Sequence, residues 1–365
     1  MTNLSLPTKI LNSFENSSSI AMFARDTGGC LISKLALSRS REESIEIGFA
    51  ELSESALFYF SAPAAAKATS KVFSKIYDIP KQQLSSPVTE INRNDKNLLK
   101  RVKLGKFGQI AATFSLILPL VFAIAPMRNL MTLSNSGKEK FTSVVGLQKD
   151  KSEQQKKEAK EKAVDLTKKL VLAGAAGLSA TAVILASAKN KNSYRKLKPF
   201  IDKVVQHLDF TKDGDLKLAH YGALIYPVSI ASYFYASRDK YEKRENARRF
   251  ATTVPLMFFG EKIIERPIHK TVDKIFKTKV IENNKIKSYK DIFKMPLEKQ
   301  TKYLKSKNLS YGLTFIINTM AISAAISLLN RIKTKQQYLK EEHEKTNINV
   351  QHKKYLTDSS YQIIR

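Results

Sequence analysis

Cysteine occurs once in this 365-residue chain, at Cys30, which excludes an internal disulfide and a metal site built on thiolates. Histidine is nearly as scarce. His207, His220, His269, His343 and His352 form no HExxH or Glu-x-x-His pattern, so the common zinc and di-metal motifs are absent. Glu43, Glu46, Glu51 and Glu54 line part of one helix but lack that histidine partner. There is no Gly-x-Ser-x-Gly elbow, no Gly-rich phosphate loop and no dinucleotide fingerprint. An enzyme is therefore poorly supported, and no cofactor is expected. Acidic residues are also short: 33 Asp and Glu stand against 62 Lys and Arg, for a formal charge of +29. No zinc-finger, RNP or helix-turn-helix pattern accompanies that excess, so nucleic acid is an unlikely partner. The first residues hold no basic stretch followed by an apolar core, and no cleaved signal peptide is expected.

What the chain does have is long uncharged runs. Phe107–Met127, Leu170–Ala188, Leu218–Ser237 and Asn308–Asn330 each run 19 residues or more without a charge, and each is fenced by Lys or Arg. A bilayer core about 30 Å thick takes roughly 20 apolar helical residues to cross. The mean hydropathy of the whole chain is only −0.27, which fits apolar helices joined by long charged connections. Juxtamembrane Lys and Arg meet anionic headgroups favourably, so a lipid bilayer is the expected partner. The reading is an all-α, multi-pass helical bundle of the plasma or inner membrane. A soluble bundle with unusually apolar helices is the competing class.

Two shorter runs, Ser55–Ala66 and Phe250–Gly260, each carry an internal proline, Pro63 or Pro255. Neither spans a bilayer by itself, and each suits a re-entrant, interfacial or buried helix. Shifting the chain on itself by 199 residues lays 21–78 on 220–277 and matches Ser38 with Ser237, Arg39 with Arg238, Glu43 with Glu242 and Glu46 with Glu245. Lys71, Lys75 and Ile76 likewise meet Lys270, Lys274 and Ile275. These matches point to two related three-helix units. Their helices are 21–38, 45–66 and 104–128, then 218–237, 246–264 and 308–331. They would share one orientation, as in parallel-repeat transporters.

The expected organisation follows. A polar N-terminal tail (1–20) precedes a first unit (21–128) and a loop (129–148). A charged helix then continues into a linking transmembrane helix (149–188), exposed at first and buried from Leu170 onward. A second loop (189–217), a second unit (218–331) and a polar tail (332–365) complete the chain. Within the linker, Ala173, Gly177 and Thr181 recur every four residues, a spacing that lets helices approach closely in lipid. Pro119 and Pro126 predict a kink in the first long span. A four-span arrangement, with the short runs lying at the surface, competes with the seven-element one.

The candidate solute path is lined by Arg25, Asp26, Glu51, Glu54, Ser61 and Pro63 from one half, and by Thr252, Thr253, Pro255 and Glu261 from the other. Paired, proline-broken helices leave backbone groups free for a solute. The plainer alternative is an amphipathic surface helix for these runs and a capped turn at Arg25–Gly29. Asp209, Thr211, Asp213 and Asp215 resemble the start of an EF-hand calcium loop, with Gly214 at the turn, but His220 stands where the bidentate Glu belongs. An Asp/Gly turn is the competing reading there. Two functions remain open: a small solute transporter or channel-like protein, and a non-catalytic scaffold that binds anionic lipid.

Overall fold

The computed structural model describes the chain except residues 1–4, 17–19, 21–22, 25, 86–87, 89–94, 150–152, 209–217, 283–284 and 363–365, with backbone alone at 16, 26, 62, 85, 153, 218–223, 257–258, 261 and 351–362. It is all-α, with one two-stranded antiparallel ladder among the described residues, β1 (Ile281–Glu282) and β2 (Lys285–Ile286).

The elements run α1 (Leu6–Asn16), a π-helical segment π1 (Asp26–Leu31) leading into α2 (Ile32–Ala36), then α3 (Arg41–Ala56), π2 (Leu57–Ser61) and α4 (Ala62–Tyr77) as one rod. After α5 (Lys81–Ser85) come α6 (Lys96–Ser136), α7 (Phe141–Val144), α8 (Glu153–Ser187), α9 (Lys191–Leu208) and α10 (Leu218–Tyr235). A second rod follows, α11 (Lys240–Gly260), π3 (Glu261–Glu265) and α12 (Arg266–Phe276). Past the β ladder lie α13 (Tyr289–Phe293), α14 (Leu297–Thr314), π4 (Phe315–Ala321) and α15 (Ile322–Gln362).

Among the described residues, three helices are long and apolar enough to cross a membrane: Lys96–Ser136, Gln154–Ser187 and Leu297–Val350. They carry three of the four long runs. In the fourth, the described apolar stretch Leu224–Tyr235 is shorter.

Helix α6 is the centre of the fold. Val102, Phe107, Ile110, Ile117 and Val121 are each at most 3% exposed and pack with Phe58, Phe73, Leu84 and Ile201 in the main core cluster. Pro119 and Pro126 sit inside one continuous helix rather than dividing it. Helix α8 makes with α6 the most extensive helix contact among the described residues. The small-residue stripe explains the closeness: a Cβ on Gly177 would fall 2.6 Å from Ser115 Oγ. The other face of α8 is apolar and outward, with Leu172 70% and Val183 64% exposed, so its apolar half is not buried within the protein as the sequence suggested.

Several stretches read as loops or tails are helical. The 1–20 tail contains α1, because Thr8 and Glu15 find partners 274 to 300 residues away in sequence. The 189–217 connection contains α9, whose Ile201 and Val205 are buried in the α6 core. In the 129–148 connection, α6 continues to Ser136 and stops at Gly137, whose φ of +69° suits glycine. The short runs are the middles of longer rods. The Pro-Ala-rich first run lacks its breaking point at Pro63, since π2 precedes that proline and Pro63 then opens α4, where its missing N–H costs nothing. In the second rod Pro267, 204 residues on from Pro63, likewise opens α12 after π3, while the residue 199 on from Pro63 is Lys262. Pro255 lies inside α11.

Candidate functional site: an ion-pair junction between two rods

Both rods begin alike. Ser40 caps the first by accepting from the Glu43 N–H at 3.0 Å, and Asp239 caps the second by accepting from the Glu242 N–H at 3.0 Å. The residue before each cap is an arginine whose own N–H donates to the glutamate four residues on: Arg39 to Glu43 at 2.5 Å and Arg238 to Glu242 at 2.8 Å. Each guanidinium grips that same glutamate and then reaches across. Arg39 Nη1 donates to Glu245 at 2.7 Å, and Arg238 Nη1 donates to Glu46 at 2.7 Å. The two crossings are reciprocal.

Phe141 lies between them, its ring centre 5.2 Å from the Arg39 guanidinium carbon and 5.7 Å from that of Arg238. The caps hold α7 in place, since Ser40 Oγ donates to the Val144 carbonyl and the Thr142 N–H donates to Asp239. Arg128 from α6 closes the cluster by pairing with Glu242. Glu46 and Glu242 are 3% and 2% exposed. Burial pushes the Glu242 carboxyl up, but the Arg238 and Arg128 charges outweigh it and hold the group at about 2.

One turn to two turns further along lies a second charged layer. Lys34 Nζ and Arg249 Nη2 share Glu51 Oε1, at 2.5 Å and 3.0 Å. Arg249 Nη2 is 3.8 Å from Glu54, whose other oxygen accepts from Ser229 Oγ at 3.4 Å. The Tyr233 ring has Arg128 on it at 5.3 Å and Arg249 at 5.0 Å, and so joins the two layers. Of the expected path residues, Glu51 and Glu54 thus meet the second half, through Arg249. Thr252 and Thr253 turn their hydroxyls back onto the Arg248 and Arg249 carbonyls of their own helix. Ser61 does the same toward Ala56. Asp26 and Glu261 lie in π segments whose backbone alone is described at those positions, so the expected turn at Asp26–Gly29 is π-helical. Arg25, Asp209, Thr211, Asp213 and Asp215 lie outside the described residues. Among the described residues, no group of three or more His, Cys, Asp and Glu is placed to hold a metal ion.

The residues Arg39, Glu46, Arg238 and Glu245 carried a signal in the sequence, the 199-residue match, but nothing local said that each arginine would choose the other rod's glutamate. Arg249 and Lys34 were missed because neither has a matching residue in the other half. A polar cleft of about 220 Å³ opens beside the junction between Lys140, Gln148, Tyr241 and Glu341, away from both short runs. Comparison with known protein families, curated proteins and solved structures finds no match to this chain.

A buried histidine stands at the other end of the second rod. His269 is 0% exposed, packs edge-on against Tyr311 at 5.4 Å, and lies near Asp273 and Lys307. Burial lowers its pKa to about 4, opposed by Asp273 and aided by Lys307. The unfolded chain titrates near 6.5. Between those values the unfolded state binds more protons than the folded one, so stability is complete above about pH 6.5 and falls as pH drops toward 4, by roughly 3 kcal/mol in all. Thermal melts of detergent-solubilised protein across that range will show the fall, and His269→Phe will flatten it.

Proposed function

We propose that the protein is an integral, multi-pass protein of the plasma or inner membrane. In this reading two related three-helix units, joined by α8, form a small solute transporter or channel-like protein. The observation that carries the reading is the reciprocal junction of Arg39 with Glu245 and Arg238 with Glu46. The rods' far ends support it. Asp78 and Lys277, again 199 residues apart, both end their helices with left-handed backbone, at φ of 49° and 47°. The same back-bonds accompany them, from Ile79 to Ser74 and from Thr278 to Asp273. Two units whose equivalent corners touch reciprocally are related by an axis through that corner. If the corner sits at a membrane surface, the axis is normal to the membrane and the units share one orientation.

Layer spacing agrees with a bilayer. On α6 the junction residue Arg128 lies 25 residues from Lys103, which pairs with Asp202. At 1.5 Å per residue these polar layers stand about 38 Å apart. In this reading the junction closes one end of a path between the halves. Opening it exposes Glu51, Glu54, Arg249 and Ser229 to a solute.

The scaffold reading has its own support. Lys71 and Lys75 flank exposed Val72 and Ile76, Lys270 and Lys274 flank exposed Ile275, and α9 exposes Lys191, Arg195, Lys196, Lys198 and Lys203. Such surfaces suit anionic headgroups. One experiment separates the two. Ser229 is 4% exposed. In a Cys30→Ala background, Ser229→Cys resists a water-soluble maleimide. Adding Glu46→Gln and Glu245→Gln raises its labelling about tenfold or more in a transporter. An unchanged rate favours the scaffold.

A further inference from the structure

Helices α1 and α9 each precede a rod-forming unit, and each docks chiefly on the other unit, α9 touching the unit that follows it only lightly, through α10. α1, ahead of the first half, packs on α14 of the second, while α9, ahead of the second half, packs on α6 of the first. The two docks share a local pattern, although their ionic latches fall at different positions. Thr8 accepts from Asn308 Nδ2 at 2.8 Å, and Phe200 meets Phe107 edge-on at 5.7 Å. Thr8 and Phe200 each follow a proline, Pro7 and Pro199, and both helices end eight residues further on, at Asn16 and Leu208.

On the receiving side, Asn308 and Phe107 each follow a buried lysine, Lys307 (0% exposed) and Lys106 (1% exposed). Seven residues on from that lysine lie the buried Thr314 and Thr113. Ionic latches accompany both docks. Glu15 Oε1 accepts from Lys307 Nζ at 2.9 Å while its Oε2 accepts from the Tyr289 N–H at 2.6 Å, and Asp202 pairs with Lys103 at 2.8 Å.

We propose that α1 and α9 are two copies of one element, a strap exchanged between the halves, so that the duplicated unit holds four helical elements rather than three. Each strap ties its own unit to the last helix of the other, at the end opposite the Arg39–Arg238 junction. The halves are then fastened at one end by ion pairs and at the other by straps, and neither half tilts without drawing on a strap. Lys307 makes the α1 strap the more sensitive one, because a fully buried ammonium loses its carboxylate when α1 leaves.

The inference rests on the reading of two related halves, and hydrogen exchange on the full-length protein in lipid nanodiscs tests it separately. Glu15→Gln with Thr8→Val raises exchange over 289–311 by roughly tenfold or more, and Asp202→Asn with Phe200→Ala does so over 98–107. Residues 41–48 and 240–247 at the junction keep their rates. Exchange rising instead in the segments next to each strap, 26–36 and 224–235, or staying flat, overturns the exchange of straps. Failure of the two-halves reading shows elsewhere, as Arg39→Ala and Arg238→Ala loosening different rods independently. A second measurement does not depend on the substituted proteins' stability. In Cys30→Ala protein, the pairs Thr8→Cys with Asn308→Cys and Phe200→Cys with Phe107→Cys both close with a short bifunctional maleimide within one chain. Cross-links that form only between chains reject the proposal.

Discussion

Arg238→Ala is expected to destabilise the protein by about 3–5 kcal/mol. The reason is what it leaves behind. Glu46 and Glu242 are 3% and 2% exposed, and without Arg238 they share only Arg128, whose Nε stands 3.8 Å from Glu46. Water cannot replace the lost guanidinium at that depth, so a carboxylate must stay unpaired or take up a proton. Arg238→Lys falls between, because an ammonium keeps the charge but cannot bridge two carboxylates with a planar fork. Arg39→Ala strands Glu43 and Glu245 in the same way. Because each arginine binds both rods, the double variant costs less than the sum of the singles, and either single loosens both rods. Denaturation of detergent-solubilised protein reads all of this. A loss under about 1 kcal/mol for Arg238→Ala would place the junction among solvated surface pairs and remove its role as a clamp.

Acid should act on the same cluster. Glu242 titrates at about 2 when folded, below the ordinary carboxylate range. Its contribution is complete above about pH 4.5 and is lost as pH falls through the folded value.

The second large effect concerns lipid. Alkaline carbonate is expected to leave the whole protein in the membrane pellet, and lysine on the outer face of α8 to defeat insertion. Leu178 and Val183 are 38% and 64% exposed and lie within the uncharged run of that helix. A lysine near the middle of a span costs about 2.5–3.5 kcal/mol on insertion scales. On a water-facing helix the same substitution is nearly neutral. Leu178→Lys with Val183→Lys should therefore release a large share of the protein into the supernatant, or leave it degraded. The same change at the charged end, Val164→Lys, should do neither. Unaltered pelleting of the double variant, or release of the native protein by carbonate, would make α8 a soluble surface helix and move the functional argument to the basic faces of α9 and α12.

Much of the fold could be read from residue order because helices are local. The uncharged run from Phe107 to Met127 marked α6, and the Lys/Glu-rich stretch entering Leu170 marked α8 as one rod. The match of Arg39, Glu43 and Glu46 with Arg238, Glu242 and Glu245 marked residues that meet at the junction, since each arginine stands just before a helix cap and its own N–H reaches the glutamate of the first turn. Tertiary structure alone decided the rest. Which carboxylate the second side of Arg39 would take, Glu245 rather than Glu46, depends on two rods meeting at their capped ends. That Glu51 would bind Lys34 and Arg249 has no periodicity to announce it. The 1–20 and 189–217 segments looked like polar tail and loop because their apolar residues are few, and the surfaces that order them, Lys307 with Asn308 and Lys103 with Phe107, lie on helices far away in sequence. Backbone hydrogen bonding reaches four residues and shows in composition and spacing. Docking reaches hundreds, and only the folded chain brings those surfaces together.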